Sequence, residues 1–327
     1  MSHDYHVYFT ERNKRRVMKW SPDTGHSEPV VSPSDDAEHE LSSPYGLTID
    51  ASGHLLIADK FGRRIVRVKD KKYEDVKIKI KPNNKHYAGA LPESPTGLFT
   101  TQQGRTLCAF SDGDCICEIE SDEYLRLIVG CSPSTYFVFS GCRETVPPEE
   151  VLSTPIYAPT SVVLRNDGIY FFIERGYQCV REFHPQRGLR SIFPLKNIGR
   201  WSEPKDIPDE LPIAEYYPAH PTALTLDRDG ELYLSDMDHD CVWHVDFKNS
   251  LLRKVMRSDQ LEVGLGPTGM SFGKDGVLWI LESSIERVSG WTPKPTGFWT
   301  RLPNMFSTLP NPVRCPAAGG AGLVCGR

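Results

Sequence analysis

The sequence predicts an all-β fold, a six-bladed β-propeller of four-stranded antiparallel blades whose ring is closed by the chain termini. Three observations lead to this fold class. A strand that opens with proline recurs along the chain, a hairpin turn follows each copy, and an acidic residue ends the next strand. One copy alone could not bury its apolar residues, so we expect the copies to pack around a common axis.

The first strand of each copy opens with proline and then carries a small or polar residue. Five copies occur, at intervals of 46 to 64 residues, and they begin at Pro44, Pro95, Pro159, Pro221 and Pro267. Each copy is followed by a turn such as Ser52-Gly53 or Asp229-Gly230. Such turns typically join two antiparallel strands, so the pattern predicts an inner hairpin in each blade.

The second strand of each copy is apolar and ends on an acid. The acids are Glu11, Asp59, Asp112, Glu174, Asp236 and Glu282. In three copies an arginine follows five residues later, as Arg64 follows Asp59, whereas Cys179 and Cys241 stand at that place in two others. Because a catalytic group normally occurs once and these acids recur in every blade, we expect them to stabilise turns.

Residues 1–302 form the predicted propeller, a single domain, and residues 303–327 form a C-terminal tail. The first blade begins near Tyr5 without a proline strand, so we expect the tail to supply its innermost strand, through residues 313–317. The alternative is a tail without a strand, because Pro316 removes a ladder donor. The alternating residues 76–81 are predicted as the outermost strand of the second blade, with lysines that protect an exposed edge.

Composition and charge limit which binding partners and which cellular compartment we expect. The net charge of −5 and the pI of about 6.1 give no overall reason to expect nucleic acid or an anionic membrane. No leader and no long apolar stretch is recognised, and the nine cysteines are irregularly spaced, so we expect a cytoplasmic monomer. In an oxidising compartment, two disulfides would be open alternatives, Cys131 with Cys142 and Cys315 with Cys325.

The repeated elements resemble the NHL repeat over about residues 5–302. The resemblance rests on the proline strand, the Asp-Gly-like turn, strand ends such as Ala58-Asp59 and Ser235-Asp236, and the Arg64-Ile65 that opens a third strand. It implies a six-bladed propeller. It leaves the activity open, because this fold hosts enzymes, binding scaffolds and RNA-binding domains alike.

A metal-dependent activity is not expected. In six-bladed enzymes of the gluconolactonase type a Glu-x-Pro motif supplies a metal ligand, and Glu93-Ser94-Pro95 matches that single element. The positions after the prolines, where that family carries further ligands, here hold Tyr45, Thr96, Thr160, Thr222 and Thr268. One carboxylate is too few for Ca²⁺, so the sequence predicts neither a metal nor a cofactor.

Two classes of function remain, and whether the chain is an enzyme stays open. The favoured one is a binding module that recognises a protein, peptide or small ligand on the top face, at the channel mouth formed by the loops before the proline strands. The binding residues predicted there are Tyr45, Thr96, Thr160, Thr222 and Thr268, with Tyr136 and Phe137 on a long insertion.

The alternative is a metal-independent hydrolase, lyase or condensing enzyme similar to strictosidine synthase. Glu93 and His220 are its predicted acid/base pair, because each stands just before a proline strand. An RNA-binding propeller is a less favoured form of the binding class, for which the lysines of residues 69–81 would supply the phosphate contacts.

Overall fold

The computed structural model describes residues 5–33, 40–69, 72–80, 92–120, 124–130, 142–195, 206–255, 266–282, 287–293, 299–302, 307–308 and 322–326. These residues form six sheets, each built on antiparallel strands, and this confirms the predicted six-bladed propeller. Among them, no helix has the length and apolar character needed to cross a membrane.

The first three blades follow the order of the sequence repeats. Blade 1 contains β1 (His6–Glu11), β2 (Arg16–Trp20) and β3 (Ser27–Val31). Blade 2 contains β4 (Pro44–Ile49), β5 (Leu55–Asp59), β6 (Arg64–Lys69) and β7 (Lys72–Asp75), and the short β8 (Lys79–Ile80) follows. Blade 3 contains β9 (Pro95–Thr100), β10 (Thr106–Phe110), β11 (Cys115–Ile119) and β12 (Tyr124–Gly130).

The last three blades repeat this arrangement. Blade 4 contains β13 (Thr145–Val146), β14 (Pro159–Leu164), β15 (Tyr170–Glu174), β16 (Cys179–His184) and β17 (Gly188–Ser191). Blade 5 contains β18 (Glu210–Pro212), β19 (Pro221–Leu226), β20 (Leu232–Asp236), β21 (Cys241–Asp246) and β22 (Leu251–Lys254). Blade 6 contains β23 (Pro267–Phe272), β24 (Leu278–Glu282), β25 (Arg287–Pro293), β26 (Trp299–Arg301) and β27 (Ser307–Thr308). Short 3-10 turns lie at Arg12–Lys14, Pro148–Ser153, Arg175–Tyr177 and Ile213–Glu215.

The C-terminal segment closes the ring, as expected, but through a different strand from the predicted one. Strand β28 (Leu323–Gly326) pairs antiparallel with β1 and aligns Cys325 with Val7. The innermost strand of blade 1 is therefore β28 and not the predicted residues 313–317, which lie outside the described residues, and the alternative of a tail without a strand was wrong. Gly322-Leu323 has the same order of glycine and leucine as Gly46-Leu47 in β4. Leu323 belongs to the apolar cluster between blades 6 and 1, and Cys325 packs against that cluster.

The prediction for the lysine-rich segment was also wrong. The outermost strand of blade 2 is β7, and β8 instead pairs in parallel with β12 of blade 3, aligning Lys79 with Tyr124. The N–H of Val76 donates to the carbonyl of Ile65, and the Val76 side chain is buried between blades 2 and 3. This buried contact draws the chain away from the edge of blade 2 and towards the next blade.

The core lies between the blades. The second strand of each proline-initiated blade is buried at every position, because both of its faces pack against neighbouring blades. Apolar clusters join each pair of adjacent blades around the ring. This packing explains why the second strands are nearly continuous apolar runs without alternation.

Turn acids hold the loops at one end of the blades, as Asp59 does in blade 2. The buried carboxylate of Asp59 accepts the backbone N–H groups of Ser42 and Ser43 at 3.0 and 2.7 Å, and Arg64 Nε donates to it at 3.3 Å. The predicted ion pair also forms between Glu282 and Arg287. These contacts confirm the structural role expected for Asp59 and Glu282. In blade 3 the residue that pairs with the proline is Phe110, and the predicted acid Asp112 is exposed beyond the end of β10.

Candidate functional site

The propeller has two distinct faces. Pro44 pairs with Asp59 across the hairpin, so the prolines and the loops that follow the turn acids lie at the same end of the blades. We call this end the proline face and the opposite end, which carries the hairpin turns such as residues 50–54, the turn face. The predicted channel mouth, with Glu93 and His220, belongs to the proline face.

A central channel of about 370 Å³ runs between the innermost strands of all six blades. Neighbouring innermost strands approach each other closely at the glycines near the proline face, where a Cβ atom on Gly46 would lie 2.4 Å from the carbonyl oxygen of Thr96. At the other end the lining reaches Gln102, Asn166 and Arg228, exposed residues at the hairpin turns. The channel lining therefore reaches the turn face, whereas none of the prolines that open the innermost strands belongs to it.

The predicted threonines lie deep in the ring and hold neighbouring blades together. The hydroxyl of Thr96 donates to the carbonyl of Pro159 at 2.9 Å, and that of Thr222 donates to the carbonyl of Pro267 at 2.7 Å. Thr160 and Thr268 are buried at the same level. The hydroxyls of Thr96 and Thr222 thus have a structural role, because they join neighbouring blades. Ligand binding by the four threonines stays a prediction.

Glu93 and His220 are not brought together. Glu93 is exposed and pairs with Arg63 of blade 2 at 3.0 Å, whereas His220 Nδ1 lies 3.3 Å from Asp238 Oδ1 within blade 5. Within the described part of the chain, no hydrogen bond joins the two residues. Each is held by a different blade and a different partner, so the geometry assembles no acid/base pair from them.

Tyr45 is the predicted binding residue with the most distinctive surroundings. The Arg12 guanidinium lies 4.7 Å and the Lys60 ammonium 5.3 Å from the centre of its ring. Lys60 also lies 5.7 Å from the ring centre of Phe61. Cations over aromatic rings are attracted by the negative ring face. Tyr45 itself is buried, so its ring lies beneath Arg12 and Lys60, and Phe61 is the exposed ring of this part of the proline face. Tyr136 and Phe137 lie outside the described residues.

Two exposed aromatic residues on this face were not identified from the sequence. Phe61 is 68% exposed in the loop after Asp59, and Tyr157 is 41% exposed before Pro159. Tyr157 packs edge to face with Tyr177, at 5.8 Å between ring centres. The sequence did contain a signal for the exposure of Phe61. In Lys60-Phe61-Gly62-Arg63 it is the one apolar residue of a turn whose other residues are charged or glycine.

One cluster of possible metal ligands occurs among the described residues. Cys142, Glu174 and Cys179 of blade 4 place two sulfurs and a carboxylate oxygen within 4.8 Å of one another. Burial raises the pKa of the Glu174 carboxyl above its ordinary value. Cys142 and Cys325 carry free thiols, while Cys131 and Cys315 lie outside the described residues, so the two disulfides stay predictions.

Similarity to known proteins is confined to the fold. No family model matches the chain, and no curated protein matches it. Virginiamycin B lyase from Staphylococcus aureus is 14% identical, with a TM-score of 0.54 over 94% of this chain and 84% of that one. A gluconolactonase from Xanthomonas campestris is 14% identical, with a TM-score of 0.55 over 84% of this chain and 78% of that one.

A chain from a nidogen/laminin complex is 11% identical, with a TM-score of 0.58 over 99% of this chain and 98% of that one. The chain is thus a six-bladed propeller similar in fold to lyases, gluconolactonases and a propeller found in a protein complex. At these identities the likeness concerns the fold alone, because one fold hosts many unrelated functions.

Proposed function

We propose that this chain is a binding module that holds a peptide or protein segment on its proline face. The observation that carries the proposal is the position of Phe61 and Tyr157, the two large apolar side chains that are exposed among the described residues. Both lie on the proline face. Aromatic residues are enriched in protein interfaces, because they supply a large contact area at a low cost in conformational entropy.

The charges near Phe61 favour a partner with an acidic side chain. Lys60 lies between the rings of Tyr45 and Phe61 and forms no ion pair with a carboxylate among the described residues. Arg12 also lies over the ring of Tyr45. A partner that brings a carboxylate next to an apolar side chain would pair with Lys60 and cover the exposed ring of Phe61.

Binding is favoured over acid/base catalysis by the surroundings of the titratable groups. None of the histidines that the structure describes lines the central channel. The proposed pair of Glu93 and His220 would need a shared substrate position, yet the two side chains are held by partners in different blades.

We propose in addition that the blades are NHL-type repeats. The ion pairs of Arg64 with Asp59 and of Arg287 with Glu282 support this assignment, because they join the two repeat positions on which the sequence resemblance depends. The same positions form a pair in blade 1, between Glu11 and Arg16.

The binding proposal is tested by selecting random peptides on the immobilised full chain from a phage-displayed library. Selected peptides are then titrated by fluorescence anisotropy against wild type, Phe61→Ala, Tyr157→Ala and Lys60→Ala. Lys79→Ala, at the outer edge of blade 3, is the matched control. We expect peptides with an acidic residue near an apolar one, bound at least about tenfold more weakly by Phe61→Ala and unchanged by Lys79→Ala.

Two results would overturn the proposal. One is a library that yields no peptide dependent on Phe61, Tyr157 or Lys60. The other is a set of peptides whose affinity falls in Lys79→Ala and not in the proline-face variants, which would move the site to the outer edge.

A further inference from the structure

Blade 4 departs from the repeat at its turn acid. In blades 1, 2 and 6 the acid is paired with an arginine five residues later, but the corresponding residue after Glu174 is Cys179. A second thiol, Cys142, is contributed by the chain just before β13. Two thiols therefore lie beside a carboxylate whose counterparts in blades 1, 2 and 6 pair with an arginine of the same turn.

The three donor atoms form a nearly equilateral triangle. The sulfurs of Cys142 and Cys179 are 3.8 Å apart, and they lie 3.9 and 3.7 Å from Glu174 Oε2. In a tetrahedral zinc site, bond lengths of about 2.3 Å to sulfur and 2.0 Å to oxygen require about 3.8 Å between two sulfurs and about 3.5 Å between sulfur and oxygen. The triangle thus matches one face of a zinc coordination tetrahedron to within a few tenths of an ångström.

The surrounding charges also suit a divalent ion. The side chains of Glu174 and Arg181 are each only 2% exposed, and Arg181 Nη1 donates to Cys142 Sγ at 2.7 Å. A divalent cation, two thiolates, one carboxylate and one guanidinium sum to zero net charge. A buried cluster of that composition avoids the cost of an uncompensated charge, and the hydrogen bond from Arg181 would orient a ligating sulfur.

Space remains for a fourth ligand. A cavity of about 170 Å³ adjoins the triangle, and its lining includes Cys142, Glu174, Arg181, Glu150 and Thr154. Zinc sites with three protein ligands typically keep their fourth position for water or a small ligand. Cys142 is only half-buried, which gives an ion a route of entry.

We propose that blade 4 binds one Zn²⁺ ion through Cys142, Cys179 and Glu174, with the fourth position open to the adjoining cavity. Both thiols lose their protons to solvent as the two zinc–sulfur bonds form. The proposal departs from the sequence-based expectation of no metal, because Cys142 and Cys179 are 37 residues apart and only the fold brings them together.

Blade 5 provides an internal control. Cys241 occupies the place of Cys179, and Asp236 occupies that of Glu174. The hydroxyl of Tyr216 lies 2.8 Å from Asp236 Oδ2 and 4.0 Å from Cys241 Sγ, where blade 4 has the second thiol. Blade 5 thus contains one thiol and no second sulfur ligand at this place, so the proposal predicts that Cys241 does not contribute to metal binding.

The test uses the full chain, reduced, freed of metal with a chelator and then titrated with ZnCl₂ by calorimetry. We expect one zinc per chain for wild type and for Cys241→Ser, and at least about 100-fold weaker binding for Cys142→Ser and Cys179→Ser. Co²⁺ in place of Zn²⁺ should give a near-ultraviolet thiolate-to-metal band that both site variants lose. Cys142→Ser changes a half-buried residue, so it keeps the test decisive if Cys179→Ser does not fold.

Three results would overturn the proposal. Reduced wild type could bind no zinc. All three serine variants could bind zinc equally, which would identify an adventitious ion only. The reduced protein could also fail to take up Co²⁺ while mass spectrometry of the untreated chain finds Cys142 joined to Cys179, which would identify a disulfide pair instead.

Discussion

Trp20 and Trp279 meet edge to face across the seam between blades 1 and 6, with 5.1 Å between their ring centres. Both side chains are fully buried, and Trp279 Nε1 donates to the hydroxyl of Tyr5 at 2.8 Å. This contact joins the first and last blades of the ring. The closure of the propeller therefore depends on packing between residues that are far apart in sequence, as well as on the pairing of β28 with β1.

We expect Trp20→Ala to destabilise the fold by about 3–5 kcal/mol, because it leaves a cavity at the closing seam. Urea unfolding followed by circular dichroism measures the loss. Lys19→Ala, on the same strand but partly exposed, is the control and should change little. Equal unfolding midpoints for Trp20→Ala and wild type would show that the seam contributes nothing to stability.

We expect Asp59→Ala to lower the free energy of unfolding by about 1–3 kcal/mol, because the N–H groups of Ser42 and Ser43 lose their acceptor in a buried loop. Asp75→Ala is the control, since it removes only the exposed partner of Arg64. Chemical denaturation measures both changes. An Asp59→Ala protein as stable as the control would refute the structural role of the turn acid.

Stability at acid pH should depend on Asp236. Burial raises the pKa of this carboxyl, but the hydrogen bonds and charge of His239 and the N–H of His220 lower it further, so the folded pKa lies below the ordinary value of 3.8. The ionised carboxylate therefore stabilises the fold above that ordinary value, and this contribution is lost as the pH falls through the folded pKa.

We expect Asp236→Asn to be less stable than wild type at neutral pH, with a difference that shrinks as the pH falls below about 4. Urea unfolding across this pH range measures the difference. Asp238→Asn, whose carboxylate is exposed, should show no such convergence with wild type. A wild-type advantage over Asp236→Asn that stays constant with pH would contradict the assignment.

Gly97→Ala should destabilise the ring by about 1–3 kcal/mol, since its Cβ atom would lie 2.5 Å from the carbonyl oxygen of Thr160 and force two innermost strands apart. Ser161→Ala is the control at the same repeat position in blade 4, where a Cβ atom is already present. It should lose only the hydrogen bond from the Leu224 N–H, about 1 kcal/mol. The melting temperatures of both variants and of wild type measure these changes. A Gly97→Ala protein with the melting temperature of wild type would show that the strands can separate freely.

The sequence by itself determined the fold class and the inner hairpins of the proline-initiated blades, because both depend on short-range patterns that repeat. Each proline strand, hairpin turn and acid-ended strand involves residues within about 20 positions of one another, a range over which local geometry dominates. The role of the turn acids was recognisable for the same reason, since Asp59 and Arg64 lie on one loop.

Only the tertiary structure decided which strand closes the ring, where the channel opens and which side chains meet at a site. The pairing of Val7 with Cys325 joins opposite ends of the chain, and the triangle of Cys142, Glu174 and Cys179 combines an insertion with a hairpin. Exposure of Phe61 and separation of Glu93 from His220 likewise depend on how the blades pack. Such contacts form between residues distant in sequence, so no local pattern encodes them, and the packing of the closed ring selects them.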